Sequence, residues 1–354
     1  MKINFKSSLL IALAISFSIV SCTKSSDPVK GKYQTGTLIV NEGAFGSANG
    51  DVTYYNVSST LLEQTIFKNV NGTFAGDVLQ SITIDGDNGY LVLNGSNKIE
   101  IIDDNTFKSK SIFTDKLLDK PRYLQVISGK AYISVWGPYD SNFSLTGSYV
   151  LVVDVKTLQV VTSIATDAGV ENLLYNGKYL FASNYNFGSS STVSIIDPST
   201  NALVKNITLA AGPAGMVLDA NNKLWVITTG TYAGNDGKLF RVNPSTFDIE
   251  QTIDLGANPG VDLGLSPDKK SLYYSVNSSV YKIDITATAA PGTAWSNTSL
   301  TSLYALGVDP KTGEVYLGDA LNFSSEGKVF IYSADGTLKT SINVGISPGQ
   351  FIFR

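Results

Sequence analysis

The stretch GPAGMVLDANNKLWVITTG, residues 212–230, holds two short apolar segments, GMVLDA and LWVITT, joined by a polar turn. Alternate side chains of a strand face opposite sides of its sheet, and apolar runs this short bounded by turn residues read as strands rather than helices. The second segment recurs along the chain with an aromatic ring in it. It appears as GYLVLN with Tyr90, AYISVW with Tyr132, KYLFAS with Tyr179, LWVITT with Trp225, LYYSVN with Tyr273 and VYLGDA with Tyr316. The rings are 42, 47, 46, 48 and 43 residues apart. TLIVNE, residues 37–42, is a seventh copy without the ring. The first segment recurs as LQSITI, YLQVIS, NLLYNG, DLGLSP and ALGVDP, and last as GQFIFR at 349–354.

A third phrase follows each pair. A strand ends in Asp or Asn, with Ser or Thr three residues on: Asn56 and Ser59, Asp103 and Thr106, Asp154 and Thr157, Asp197 and Thr200, Asn243 and Thr246. The last two repeats depart from it, with Asp284 two residues before Thr286 and with the turn SADG at 333–336. Such side chains bond nearby backbone groups and hold tight turns. One pair per repeat points to turn chemistry rather than to metal ligands. A period in the forties with several short strands per unit predicts an all-β, seven-bladed β-propeller over residues 35–354. GQFIFR lacks a following ring-bearing strand and TLIVNE lacks a preceding one, so pairing the two completes the seventh blade and removes an open sheet edge. No segment beyond the N-terminal one has a helical period.

The N-terminal segment is of another kind. Lys2 and Lys6 precede an apolar run from Leu9 to Val20, which reads as an export signal over 1–21. Ile19-Val20-Ser21-Cys22 has the form of a lipobox, and Cys22 is the one cysteine of the chain. Acylation there predicts a lipid anchor, followed by a polar tether over 22–34. With one cysteine, no intrachain disulfide supports the fold. The chain has 26 basic and 30 acidic residues, and loses Lys2 and Lys6 with the signal, so its charge moves from -4 to -6. No basic cluster is present, which disfavours nucleic acid as a partner.

Histidine is absent. That removes Ser-His-Asp triads, Cys-His pairs and histidine-ligated metals. No loop carries the alternating carboxylates of a calcium site, no glycine-rich loop leads into a helix, and no carboxylate pair stands out for hydrolysis. The expectation is a binding protein without cofactor or metal. A propeller lactonase or hydrolase is the weaker alternative, and a protein-interaction scaffold the nearer one.

In a propeller, the loops from second to third strand and those between blades emerge on one face. Here they are rich in rings: Phe45, Trp136, Tyr139, Phe143, Tyr185, Phe187, Tyr232 and Phe323, with Phe74 and Trp295 between blades. Exposed rings gathered on one rim point to binding. The residues expected to contact a large, partly apolar ligand are Trp136, Tyr139, Phe143, Tyr185, Phe187 and Tyr232, on blades three to five. Arg122 and Asn184 are expected to fix its polar edge.

The phrases VNEGAFG at 40–46, GDVLQSITI at 76–84, PRY at 121–123, GPAGMVLDANNKLWVITTG at 212–230, LGVDPKTGEVYLGDALNF at 306–323 and VGISPGQFIF at 344–353 resemble the YncE-like propeller lipoproteins of Bacteroidota. Within these the chain is similar to the BtuG-type cobalamin-binding surface lipoproteins. The resemblance implies a seven-bladed ring on the outer membrane, at the cell surface, that captures cobalamin or another large nutrient for a TonB-dependent transporter. The anchor carries a direct test. Cys22→Ser is expected to leave an unlipidated, uncleaved precursor. Recovery of a lipidated mature protein from the membrane fraction would overturn the lipobox assignment.

Overall fold

The computed structural model describes residues 31–354 apart from 233 and 235. Cys22, the signal and most of the tether lie outside the described residues. The body consists of seven four-stranded antiparallel sheets. In chain order the innermost strands of blades two to seven are Leu79–Asp85, Pro121–Ile127, Val170–Tyr175, Pro213–Leu218, Gly264–Leu265 and Leu303–Val308. The innermost strand of blade one is Pro348–Phe353, which pairs with Thr37–Asn41 in the register Thr37↔Phe353, Leu38↔Ile352, Ile39↔Phe351. The expected closure is therefore present, and the ring is a seven-bladed propeller.

Burial explains why the repeat carries its ring. Strand alternation sends successive side chains to the two faces of a blade, and each face packs on a neighbouring blade. The described residues form seven apolar clusters, one for each seam between blades. Each repeat aromatic points to the next blade in the chain. Tyr90 packs in the seam of blades two and three, Tyr132 in that of three and four, and Tyr179 against four and five. Trp225, Tyr273 and Tyr316 continue the series to the seam that closes on blade one. There Tyr316 meets Phe353 edge to face, with ring centroids 5.0 Å apart. Tyr179 is half-buried; burial of the other five side chains contributes about 2–3 kcal/mol each before the entropy of ordering them.

The turn phrase does what its chemistry predicts. Asp103 Oδ1 accepts from the Thr106 amide and hydroxyl, both at 3.0 Å, and Asp154 repeats this with Thr157. The next residue then takes positive φ, at Thr60, Phe107, Leu158, Asn201 and Phe247. That conformation costs a bulky residue roughly 1–2 kcal/mol. Phe107 offsets the cost by complete burial against Tyr33, and Phe247 by packing on Tyr179.

Three details correct the sequence reading. A six-residue helix, Ile66–Asn71, lies between blades one and two, where no helix was expected. It is too short to show a period; its first turn is held by Asp51, whose carboxylate accepts from the Phe67 and Lys68 amides at 2.9 and 3.0 Å. The body also begins earlier than the expected tether end. Lys32–Gln34 form a 3-10 turn, and Tyr33 is buried against Tyr54 and Phe107. Blade six is thin, with inner and outer strands of two residues each.

The closing strand is fastened beyond its pairing. The Arg354 guanidinium is paired with Asp104 Oδ2 at 2.5 Å, and Gln34 donates to the same oxygen at 3.2 Å. Both charged side chains are mostly buried. Removing one partner of a buried pair leaves the other charge uncompensated, so Arg354→Ala is expected to cost about 3 kcal/mol in denaturant unfolding. Deleting residues 349–354 is expected to go further, lowering the melting temperature steeply and promoting aggregation. A truncated protein that melts like its parent would contradict the closure.

Candidate ligand-binding site

Most inner strands are bulged at their first residues. The register breaks between Leu79 and Ser81, Pro121 and Leu124, Val170 and Leu173, Pro213 and Met216, and Leu303 and Ala305. A bulge turns one side chain away from the regular alternation. The side chain so placed is Gln80, Arg122, Glu171, Ala214 and Tyr304 in turn. Gly349 and Asp262 take the equivalent place on blades one and six, each just after the first apolar residue of its segment. All seven positions line one chamber of about 210 Å³ on the ring axis. Two are small, and one of those is needed: a Cβ on Gly349 would stand 2.8 Å from Glu42 Oε1, so the absent side chain lets the Glu42 carboxylate in.

Above the chamber a wider mouth of about 500 Å³ opens on the face of the inter-blade loops. Its rim carries Phe45, Tyr139, Phe187 and Phe323, while Asp77, Asn94, Lys120 and Ser347 supply polar groups. Glu42, Gln80, Arg122, Phe187 and Tyr304 line both spaces and form the floor between them.

The floor is one hydrogen-bonded network. Arg122 Nε donates to both Glu171 oxygens at 3.0 Å, and its Nη2 to Oε1 at 2.7 Å. Trp136 Nε1 donates to Glu171 Oε2 at 3.0 Å, and the guanidinium lies 4.0 Å from the Trp136 ring centroid. Arg122 Nη1 donates to Gln80, Gln80 donates to Glu42 Oε1 at 3.3 Å, and the Tyr304 hydroxyl donates to Glu42 Oε2 at 2.9 Å. Bidentate pairing and stacking are what a guanidinium does best. Burial opposes the Arg122 charge, and the Glu171 pair more than offsets it, so its pKa is held above the usual value. Burial pushes the Glu42 carboxyl up to about 7, against the pull of Arg122. Asp262 is pushed to about 7 by the same cause, relieved only by the Leu306 amide at 2.8 Å. Burial likewise raises the Tyr123 and Tyr304 phenols, which stay neutral.

A family model described as a domain of unknown function, DUF5074, matches residues 35–353. The chain belongs to the DUF5074 family. No curated protein matches it in sequence. A solved structure similar to this DUF5074 chain is a quinoprotein alcohol dehydrogenase-like protein from Bacteroides thetaiotaomicron. It is 17% identical, covers 88% of this chain and 78% of its own, and gives a TM-score of 0.68. Hydrazine synthase from Kuenenia stuttgartiensis is 15% identical over 75% of this chain and 87% of its own, with a TM-score of 0.56. At these identities the likeness carries the propeller fold, in agreement with the expected architecture.

The DUF5074 ring places the expected site residues unequally. Tyr139 and Phe187 line the mouth, and Arg122 and Tyr185 line the chamber. Phe187 is gripped by Trp136 and Tyr185, at centroid distances of 5.3 and 5.8 Å, and it holds positive φ beside Asn186, which does the same. Trp136 is a wall rather than an exposed contact: it is 6% exposed because its N–H is drawn inward to Glu171. Asn184 does not reach the site. It is fully buried and donates to Thr192 and Ser194, the next strand of its own blade. Phe143 and Tyr232 are 85% and 93% exposed but line neither space. The Phe143 loop is folded on itself, with Asp140 Oδ1 accepting from the Asn142 and Ser144 amides. The mouth leans toward blades seven, one, two, three and four, and away from blade five, which carries Tyr232.

The sequence reading missed Gln80, Glu171, Asp262 and Tyr304. The signal is there in hindsight: Leu-Gln, Pro-Arg, Val-Glu, Val-Asp and Leu-Tyr stand at one place in successive repeats.

The buried acids set the pH dependence. Glu42, Asp262 and Asp51, the last raised to about 6 by burial, keep protons in the folded state that the unfolded chain releases near pH 4. Folded protein thus binds more protons between about pH 4 and pH 7, and stability falls as pH rises through that window. Below it, turn aspartates such as Asp103 and Asp197, whose hydrogen bonds lower their pKa, act in the opposite sense. The melting temperature is expected to be higher near pH 5 than near pH 8. Asp262→Asn is expected to shrink that difference, as scanning calorimetry of the two proteins at both pH values would show.

Proposed function

We propose that this DUF5074 protein is an outer-membrane lipoprotein, anchored at the cell surface through Cys22, that captures a ligand in the mouth of its ring without chemically changing it. The observation that carries this reading is the mouth itself. It is a concave space of about 500 Å³ with aromatic side chains at the rim and a fixed polar floor. Binding sites for small molecules have this size and this division between apolar walls and a few placed polar groups. A flat apolar rim would instead have favoured a scaffold.

Catalysis has little to work with. The floor's one arginine is spent on Glu171 and Gln80, and the chain supplies no histidine and no cysteine but Cys22. Cobalamin or another large nutrient, passed to a TonB-dependent transporter, is the ligand that the family resemblance suggests. In this reading a corrin disc rests on Phe45, Phe187 and Phe323, with one amide edge toward Asn94 and Lys120, all of which line the mouth. The exposed Phe143 and Tyr232, off the mouth on the same face, favour an additional protein contact, as docking to a transporter or a scaffold partner requires.

Calorimetric titration of soluble protein beginning at Thr23 with cyanocobalamin tests the ligand. Saturable binding that weakens by about 2 kcal/mol in Phe187→Ala, with an unchanged melting temperature, is the expected result. Binding untouched by Phe187→Ala would move the site away from the mouth, and no binding would remove cobalamin.

A further inference from the structure

The chamber beneath the mouth is acidic in a way that its own arginine does not balance. Its lining carries Glu42, Glu171 and Asp262 against Arg122. Each nitrogen of that guanidinium is engaged, Nε and Nη2 by Glu171 and Nη1 by Gln80, and one of its faces lies against Trp136. Arg122 and Glu171 therefore cancel as a pair. Glu42 and Asp262 remain, and neither has an ion-pair partner among the described residues. Two buried carboxylates that both ionise without partners are costly, and a positive charge placed beside them offsets that cost.

The rest of the lining narrows the kind of charge. The space, about 210 Å³, is far larger than a bare ion, and no group of three or more metal-ligating side chains stands together among the described residues. Beside Gln80, Asn172, Ala214, Val261 and Gly349, its remaining lining holds four aromatic residues, Tyr123, Tyr185, Phe187 and Tyr304. Aromatic faces attract organic cations, most strongly where water is excluded. An anion would have to take Arg122 from Glu171. A neutral apolar group would leave both acids facing it.

We propose that the chamber binds an ammonium group, protonated or quaternary, seated between Glu42 and Asp262 and walled by the rings of Tyr123, Tyr185, Phe187 and Tyr304. This rests on the reading that the mouth captures a ligand and not on that ligand being cobalamin, which has no ammonium group; it names the chemistry of the inner end of another nutrient. The remainder of the molecule occupies the mouth above, since Phe187 and Tyr304 border both spaces. The groups facing the two acids are Arg122, Glu171 and the phenols of Tyr123, Tyr185 and Tyr304. The arginine stays charged and the phenols stay neutral across the physiological range, because burial raises all three phenols. Protonation of Glu42 and Asp262 is therefore what changes the chamber's charge near neutrality. A cation entering the chamber displaces those protons, so its affinity rises with pH.

The probe is choline, with 3,3-dimethyl-1-butanol as its uncharged isostere, each titrated calorimetrically into soluble protein beginning at Thr23. Choline is expected to bind near pH 8 and to lose at least roughly tenfold in affinity near pH 5.5, while the isostere binds at least roughly tenfold more weakly than choline. Asp262→Asn, close to isosteric, is expected to weaken choline by roughly tenfold at the higher pH while keeping a cooperative melt. Equal binding of choline and its isostere would overturn the ammonium assignment and leave ligand capture standing. Choline binding indifferent to both pH and Asp262→Asn would place the cation elsewhere and overturn it too. If neither probe binds, the ammonium assignment fails. Capture is then judged by the cyanocobalamin titration and its Phe187→Ala control, which depend on the rim and not on the chamber acids.

Discussion

Everything in this molecule depends on one antiparallel pairing, that of Pro348–Phe353 with Thr37–Asn41. A row of blades has two ends, each exposing an apolar face. The pairing converts that row into a ring, so that each blade has two neighbours and each face a partner. It creates the seventh seam, where Tyr316 meets Phe351 and Phe353, and it defines the axis along which a chamber can exist. It also brings Gly349 to the axis, at the one place where the Glu42 carboxylate needs the room.

The site follows from a local irregularity repeated around that axis. A regular inner strand would send its residues alternately into the two seams, and the channel would be lined by whatever backbone lay between. The bulge near the mouth frees one residue per blade from this duty. Freed positions need not be apolar, and here they are Gln80, Arg122, Glu171, Asp262 and Tyr304, with Ala214 and Gly349 as the gaps. Strain gathers higher up. Phe187 and Phe323 on the rim hold positive φ, a costly conformation for a phenylalanine that persists only where surrounding packing enforces it. Trp136 and Tyr185 supply that packing for Phe187, and Tyr304 supplies it for Phe323.

What the sequence made legible was whatever repeats with fixed spacing. The ring-bearing strands recur six times and the Asp/Asn-x-x-Ser/Thr turns five times, so period located them, and the two terminal segments left without a partner then pointed to the closure. The chamber was less legible because its residues share a position but not a character: a glutamine, an arginine, two acids, a tyrosine and two small residues do not look like one motif. The rim was legible as rings in loops, yet a loop position does not fix exposure. Trp136 looks open in the sequence because nothing near it there announces Glu171, which comes from the neighbouring blade and takes its N–H. Asn184 has the look of a loop-edge amide but is the last residue of its strand, where Thr192 and Ser194 claim it. The helix Ile66–Asn71 escaped for the simplest reason, since six residues complete fewer than two turns.

The closing strand also sets a schedule. Synthesis delivers residues 37–41 long before 348–353, and blade one must wait for its innermost strand until nearly the whole body has been made. Joining segments about 300 residues apart carries a loop-closure penalty that grows only logarithmically with length, and folded blades shorten the effective gap further. The delay is therefore kinetic more than energetic. Until it ends there is no axis, hence no floor and no chamber. A chain interrupted before residues 348–353 would lack the cavity altogether rather than carry a weakened one, so the presence of the cavity reports on the completeness of the ring.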